Sequence, residues 1–194
     1  MNKENQITRN FQSTLKRSDK GSRQVEGIAI VFDSPSQPIG NYTEIIDRSA
    51  VTEETIKNSD IFAYLNHDEN RGVLARSRYG EGSLKLSLQN DGLHYSFESP
   101  KTQLGDELLS YLERGEITTS SFCFNTPADG SGEKWERDNN GNLICHITNI
   151  YRLFDVSPVF EPAYLASDCH LRKYNEILKI DENLESLKKE IDFL

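Results

Sequence analysis

Apolar residues along the chain fall into short runs of β-strand length, separated by turn-forming residues. Residues 24–32, 42–46, 61–65, 73–78, 83–89, 93–98 and 117–124 show such runs, or an alternation of apolar and polar positions. Both patterns are typical of strands that bury one or both faces. Residues 143–159 predict one further strand or a pair of strands. The Asn-Asp-Gly turn at residues 90–92 predicts a hairpin, and with it a largely antiparallel sheet.

Two internal segments have the apolar spacing and the end signals of helices. Residues 48–58 predict a short helix that Ser49 caps, with Glu53 and Glu54 in the first turn, where carboxylates are favoured. Residues 103–113 predict an amphipathic helix with four leucines on one side. Gly115 follows it and supplies the left-handed residue that commonly ends a helix.

The C-terminal segment, from about residue 171 to residue 194, predicts an amphipathic helix with a heptad repeat. The apolar positions alternate between spacings of three and four: Ile177, Ile180, Leu184, Leu187, Ile191 and Leu194. So short a helix is marginal alone and must dock on another surface. That surface is the rest of the domain, a second copy of the helix, or the groove of a partner, and the sequence leaves all three open.

The predicted elements define the expected fold class and domain organisation. Residues 1–20 have no periodicity and are rich in polar and basic residues, so we expect a flexible leader. Residues 126–142 are polar and rich in Gly and Asp, so we expect a mobile loop. Residues 21–168 are expected to form the folded domain, and residues 169–194 the C-terminal helix. The fold class is α+β: a mostly antiparallel β-barrel, closed or nearly closed, with a few surrounding helices.

Composition excludes several classes of function. The 194 residues carry a net charge of -9, and basic residues cluster only near the N-terminus, so we expect no binding to nucleic acid. No apolar window approaches the roughly 20 residues of a membrane helix, and the first residues lack the apolar region of a secretory signal. We therefore expect a cytoplasmic protein with no membrane partner. The three cysteines lack metal-binding spacing and no phosphate-binding loop occurs, so no metal and no cofactor is expected.

A few residues could carry nucleophilic catalysis, which needs a hydroxyl or thiol beside a base. His67 follows a buried strand at the point where it opens into a loop, which suits a catalytic imidazole as well as a structural one. Ser121 lies on a predicted strand whose phenylalanines, Phe122 and Phe124, share the opposite face. Ser121 is therefore a candidate nucleophile, or an ordinary strand hydroxyl. Cys123 shares the face of Ser121, but no basic neighbour favours its thiolate.

Asp155 is an acid inside an apolar stretch, where a carboxylate needs a partner. That partner is an imidazolium, Arg152 or a backbone amide. Residue patterns alone thus define a mostly β domain with candidate Ser, His and Asp residues, and they do not choose a reaction.

Four stretches, read in order, resemble the prohead protease family of tailed bacteriophages. The first is Gly27-Ile-Ala-Ile-Val-Phe32 with Tyr42-Thr-Glu-Ile-Ile46, and the second is Leu65-Asn-His-Asp68 with Val73-Leu-Ala-Arg76. The third is Gly82-Ser-Leu84 and Asp91-Gly-Leu93, followed by Arg114-Gly-Glu-Ile-Thr-Thr-Ser-Ser-Phe-Cys-Phe124, and the fourth is Phe154-Asp-Val-Ser-Pro-Val-Phe-Glu-Pro-Ala-Tyr164. The resemblance implies a barrel similar to the herpesvirus assembly serine proteases. It also implies an endopeptidase that cleaves the phage major capsid protein and scaffold inside the immature prohead, in the bacterial host cytoplasm. A homodimer is compatible with this comparison and with the heptad tail.

The resemblance places the family's nucleophile on Ser121 and its histidine on His67. The chain departs from the family pattern at three positions: Ser120 replaces a methionine, Cys123 a glycine and Asp155 a glutamate. Asp155 is the expected third catalytic residue, and His146 is the alternative, because the herpesvirus proteases use a second histidine. These departures also favour a rival hypothesis, a non-enzymatic capsid assembly protein that retains the protease fold.

Overall fold

The structure is a computed structural model that describes residues 7–11, 15–17 and 21–160. The predicted C-terminal helix lies outside the described residues. Thirteen strands and two α-helices occur in the described part. The strands are β1 (Ile7–Phe11), β2 (Leu15–Arg17), β3 (Gln24–Val31), β4 (Tyr42–Ile46), β5 (Asp60–Ala63), β6 (Ala75–Arg78), β7 (Glu81–Gly82), β8 (Lys85–Leu88), β9 (Gly92–Glu98), β10 (Thr119–Asn125), β11 (Glu133–Arg137), β12 (Leu143–Ile147) and β13 (Arg152–Val159). The α-helices are α1 (Glu53–Lys57) and α2 (Gln103–Arg114).

The strands form three sheets. A six-stranded sheet has the order β1-β10-β13-β5-β6-β7, a four-stranded sheet the order β2-β3-β9-β8, and a three-stranded sheet the order β11-β12-β4. Most neighbouring strands are antiparallel, as predicted, whereas β4 pairs with β12 and β5 pairs with β13 in parallel. The fold is therefore rich in mixed sheet with few helices. No helix of the described residues is long and apolar enough to span a membrane.

The expected closed barrel is not found among the described residues. The six-stranded sheet ends at β1 and β7, and the four-stranded sheet ends at β2 and β8, so each keeps two edges. The parallel pairing of β4 with β12 places these strands in a third sheet instead of closing the first two. One core nevertheless joins the sheets, because β3, β4, β5, β9, β10, β12 and α2 all contribute fully buried large side chains.

Helix α2 agrees with its prediction at both ends. The Thr102 hydroxyl accepts a hydrogen bond from the backbone N–H of Gly105, which caps the first turn. Gly115 is left-handed, with φ 70°, and ends the helix. The predicted helix at residues 48–58 is instead a 3₁₀ turn followed by the short α1. The two are separate because Thr52 is extended and exchanges capping hydrogen bonds with Thr55, so the α-helix begins after Thr52.

Two segments expected to lack regular structure contain strands. Within residues 1–20, β1 pairs with β10 and β2 pairs with β3, so these parts of the expected flexible leader are sheet. Within the expected mobile loop at residues 126–142, β11 pairs with β12 as an antiparallel ribbon. In the latter, half-buried Trp135 packs its ring 5.1 Å from that of Tyr42, which gives a mostly polar strand an apolar anchor.

Candidate active site

His67 lies in a tight turn that follows β5. Asn66 and His67 are both left-handed, with φ 56° and φ 58°, a conformation that Asn and His adopt more readily than most residues. The backbone N–H of Asn66 donates to the carbonyl of Pro158 at 2.8 Å, and that of Asp68 donates to the carbonyl of Leu65 at 3.2 Å. The turn is thus fixed to β13, and the ring of His67 is directed toward the six-stranded sheet.

Ser121 lies in the middle of β10, between two neighbouring strands. It is paired with Ser157 of β13 on one side and with Asn10 of β1 on the other. Phe122 and Phe124 are fully buried and their rings stack 5.3 Å apart, which fixes the register of the strand against the core. The expected alternation therefore holds, and the Ser121 side chain faces away from these rings.

Ser121, His67 and Asp155 form a continuous chain of hydrogen bonds. The Nε2 atom of His67 lies 2.5 Å from Ser121 Oγ, and its Nδ1 atom lies 2.6 Å from Asp155 Oδ1. The carboxylate, which only accepts, assigns the N–H to Nδ1 and leaves Nε2 as the acceptor for the serine proton. A hydroxyl, a base and a group that orients the base are thus in the arrangement that activates a serine nucleophile.

Two further residues position the carboxylate, and the residue patterns did not single them out. Ser157 is fully buried, and its hydroxyl donates to Asp155 Oδ1 at 2.7 Å. The backbone N–H of Tyr64 donates to Ser157 Oγ at 3.3 Å. Burial raises the pKa of the Tyr64 phenol, and the nearby charge of Asp155 raises it further. The signal in the sequence was the i, i+2 spacing of Asp155 and Ser157, which places both on one face of a strand.

The alternative residues take other positions. The hydroxyl of Ser120 is buried against the Tyr95 phenol, 2.8 Å away. Cys123 is buried and lies opposite Asp155 in the β10–β13 pair, but the Nε2 bond of His67 goes to Ser121. His146 lies in the three-stranded sheet, where its Nδ1 is 2.8 Å from Asp47 Oδ1. The structure therefore brings together Ser121, His67 and Asp155, but not His146.

A cleft of about 370 Å³ opens beside His67 and Asp155. Its lining includes Thr8 of β1, the aromatic side chains of Phe62 and Tyr64, and Cys123. The two rings stack 5.3 Å apart and form an apolar wall. The described residues contain no group of three side chains that could hold a metal ion.

Strand β1 covers the Ser121 side of the cleft. Ser121 is fully buried, and its Oγ lies 3.0 Å from the carbonyl oxygen of Arg9. The hydroxyl has one proton, so it donates either to this carbonyl or to the imidazole of His67. A strand of the chain itself therefore lies directly against the hydroxyl of Ser121.

Comparisons with known proteins identify the family of the chain and a solved structure with a similar fold. The family model described as caudovirus prohead serine protease matches residues 10–180 of the chain. Among solved structures, the bacteriophage T4 capsid assembly protease gp21 superposes with a TM-score of 0.52 at 9% sequence identity. The match covers 81% of this chain and 98% of the T4 chain, and at this identity it establishes similarity of fold. No curated protein sequence matches the chain.

Proposed function

The chain belongs to the caudovirus prohead serine protease family, and we propose that it is a serine endopeptidase of capsid maturation. Its proposed substrates are the major capsid protein and the scaffold of a tailed phage. Its proposed place of action is the interior of the immature shell, in the cytoplasm of the bacterial host. A homodimer remains a prediction of the heptad tail.

The observation that supports the proposal best is the hydrogen-bonded chain from Ser121 through His67 to Asp155. The imidazole lies 54 positions before the hydroxyl in sequence and 88 positions before the carboxylate, so only the fold brings them together. A strand serine has no structural need for an imidazole at 2.5 Å that is oriented by a buried carboxylate. An activated nucleophile does need both.

In the proposed reaction, Nε2 of His67 accepts the proton of Ser121 as Oγ bonds to the substrate carbonyl carbon. Asp155 keeps the proton on Nδ1 and stabilises the imidazolium that forms. Collapse of the tetrahedral intermediate breaks the carbon–nitrogen bond, and His67 returns the proton to the leaving amine. Water then attacks the acyl-enzyme in the same way and releases the carboxylate product with the free serine.

A substrate reaches Ser121 only if one of the two strands beside β10 moves away. The neighbour on one side, β13, carries Asp155 and Ser157 and so has to stay in place. The neighbour on the other side, β1, is the outermost strand of the sheet. A substrate in extended conformation therefore replaces β1 on β10, by the strand addition that many proteins use to bind peptides.

Replacing Ser121 with alanine tests the proposal. The full chain is expressed with the major capsid protein and scaffold, and cleavage is followed by intact-mass measurement. We expect cleavage by the wild type and by a Ser120→Ala control, and none by Ser121→Ala. Labelling of Ser121 by a serine-directed fluorophosphonate, once β1 is displaced, is expected to follow the same pattern.

The same experiment tests the rival hypothesis of a non-enzymatic assembly protein. Capsid assembly that is unchanged by Ser121→Ala, without cleavage by the wild type, supports the rival. Cleavage by Ser121→Ala at the wild-type rate contradicts the assignment of the nucleophile and directs the search to Ser120 and Cys123.

A further inference from the structure

Arg9 of β1 and Glu44 of β4 form an ion pair inside the protein. The Nε of Arg9 lies 2.6 Å from Glu44 Oε1, and its Nη2 lies 2.9 Å from Oε2, so the contact is bidentate. Arg9 is 4% exposed and Glu44 is fully buried. The phenol oxygen of Tyr42 lies 3.5 Å from Nη2. Burial raises the pKa of the Tyr42 phenol, so the phenol stays neutral and adds no charge to the pocket.

The same residue supplies the backbone carbonyl that lies next to the proposed nucleophile. The carbonyl oxygen of Arg9 is 3.0 Å from Ser121 Oγ, and β1 runs antiparallel to β10 with Asn10 paired to Ser121. The Arg9–Asn10 peptide bond is therefore the bond of β1 that is presented to the hydroxyl. In a substrate bound like β1, the residue in the position of Arg9 would be the one whose carbonyl is attacked.

We propose that Glu44 is the base of a specificity pocket and that the enzyme cleaves after a basic residue, preferably arginine. The inference rests on the proposed function, and it uses β1 as the template for the bound substrate. Glu44 and Tyr42 belong to a stretch that carries the family resemblance, and the catalytic chain of hydrogen bonds makes no use of them.

Electrostatics explains the preference. Breaking a buried ion pair is strongly unfavourable, and the guanidinium of Arg9 pairs with Glu44 only while β1 is in place. A substrate that replaces β1 restores the pair if it brings a basic side chain to the same position. Arginine fits best, because its planar fork matches the two carboxylate oxygens, whereas lysine offers a single charged centre. A neutral side chain does not replace the bidentate ion pair that Arg9 makes with Glu44, and an acidic side chain brings a like charge toward Glu44.

Self-cleavage of the chain in β1 would follow the same reaction as cleavage of a substrate. Ser121 Oγ bonds to the carbonyl carbon of Arg9, the bond to the Asn10 nitrogen breaks, and Asn10 leaves as a free amine with the proton from His67. Water then releases the carboxylate of Arg9 and regenerates the hydroxyl. No oxidant, metal or further reactant is needed.

The test varies position 9 in the full chain and follows the intact mass of the purified protein. We expect a product that begins at Asn10 in the wild type, and none in Ser121→Ala. Cleavage after residue 9 should persist in Arg9→Lys and fall about 100-fold in Arg9→Gln, because truncating one partner of a buried charge pair is costly. Arg9→Glu should abolish it.

A second measurement separates recognition from folding. The wild type, once self-cleaved, is given synthetic peptides that copy residues 5–14 with Arg, Lys, Gln or Glu at position 9. We expect kcat/KM to follow that order. Glu44→Gln should remove most of the preference for Arg over Gln, whereas the control Glu26→Gln should keep it. Glu26 suits the control because it pairs with Lys16 on the surface.

The outcomes distinguish the two proposals. Ser121-dependent cleavage that is indifferent to the charge at position 9, or that occurs only at other bonds, overturns the basic preference and leaves the protease assignment intact. A Glu44→Gln protein that is slower on all peptides alike shows a structural pair and also overturns it. If the wild type cleaves neither itself, the peptides nor the capsid protein, both proposals are wrong.

Discussion

Replacing Asp155 with asparagine removes the charge of the proposed third catalytic residue but keeps its shape. In the structure one carboxylate oxygen, Oδ1, accepts from both His67 Nδ1 and the hydroxyl of Ser157. An asparagine whose amide oxygen takes this place can accept both hydrogen bonds. The imidazole then keeps the tautomer with Nε2 free to accept the proton of Ser121. We therefore expect Asp155→Asn to lose the charge without losing the orientation of the ring.

The magnitude follows from the distance between the charges. The imidazolium formed during the reaction lies about 4 Å from the carboxylate, where opposite charges attract by roughly 4 kcal/mol at an effective dielectric of about 20. At about 1.36 kcal/mol per tenfold change, Asp155→Asn should slow catalysis about 1,000-fold. Asp155→Ala also releases the ring and the Ser157 hydroxyl, so its loss should be larger, about 10,000-fold.

The assay compares rates of capsid protein cleavage by wild type, Asp155→Asn and Asp155→Ala at equal protein concentration. Thermal unfolding of each variant checks that the fold is retained. A rate for Asp155→Asn within about threefold of wild type would show that the carboxylate charge is not used, since the electrostatic contribution calculated above is much larger. Equal rates for the two variants would show that the amide does not preserve the ring orientation.

Three further predictions concern the support of the site and the stability of the fold. Ser157→Ala should slow cleavage about tenfold and destabilise the protein by about 1–3 kcal/mol, measured by denaturant unfolding, because a buried carboxylate loses a donor. Gly105→Ala should lower the melting temperature of the chain, because a Cβ there would lie 2.0 Å from the carbonyl oxygen of Pro100. Its circular dichroism spectrum should keep the helix signal. The hydrogen bond from Arg76 lowers the pKa of Asp60 below its ordinary 3.8. The Asp60–Arg76 pair therefore stabilises the fold at pH values above 3.8, and this stabilisation is lost as the pH falls through the lowered pKa of Asp60 in the folded protein. Asp60→Asn should thus be less stable than wild type at about pH 7, with a difference that shrinks at about pH 2. A constant difference would contradict the pairing.

The local features of the site could be predicted because they depend on short-range patterns. The alternation around Phe122 and Phe124 places Ser121 on the opposite face, and the structure agrees. The position of His67 after a buried strand was also predictable. Helix α2 was predicted within one residue, because its leucine spacing and Gly115 indicate its limits.

The features that the sequence analysis did not predict depend on pairing between segments that are distant in sequence. β1 has mixed polar and apolar residues, and only its pairing with β10, more than a hundred positions later, makes it a strand. The same holds for β11, which is stabilised by β12. The place of Asp155 depends on the β10–β13 register, which pairs it with Cys123, two residues after Ser121. No pattern in one strand indicates the register of its neighbour, so the pairing of Ser121 with Ser157 could not be predicted from the residue patterns.

The Arg9–Glu44 pair connects the covering of Ser121 by β1 with the proposed preference for a basic residue in the substrate. Removing one partner of a buried ion pair costs about 3–5 kcal/mol, so the pair with Glu44 opposes the departure of β1 from β10. A strand that carries arginine to the same position offsets this cost, because the incoming guanidinium forms the same bidentate ion pair with Glu44 that Arg9 gave up. The replacement of β1 by a substrate strand then changes the free energy little when the substrate carries a basic residue at this position. For any other residue the replacement is strongly unfavourable. On these proposals, a single buried carboxylate both holds the covering strand in place and selects the chain that replaces it.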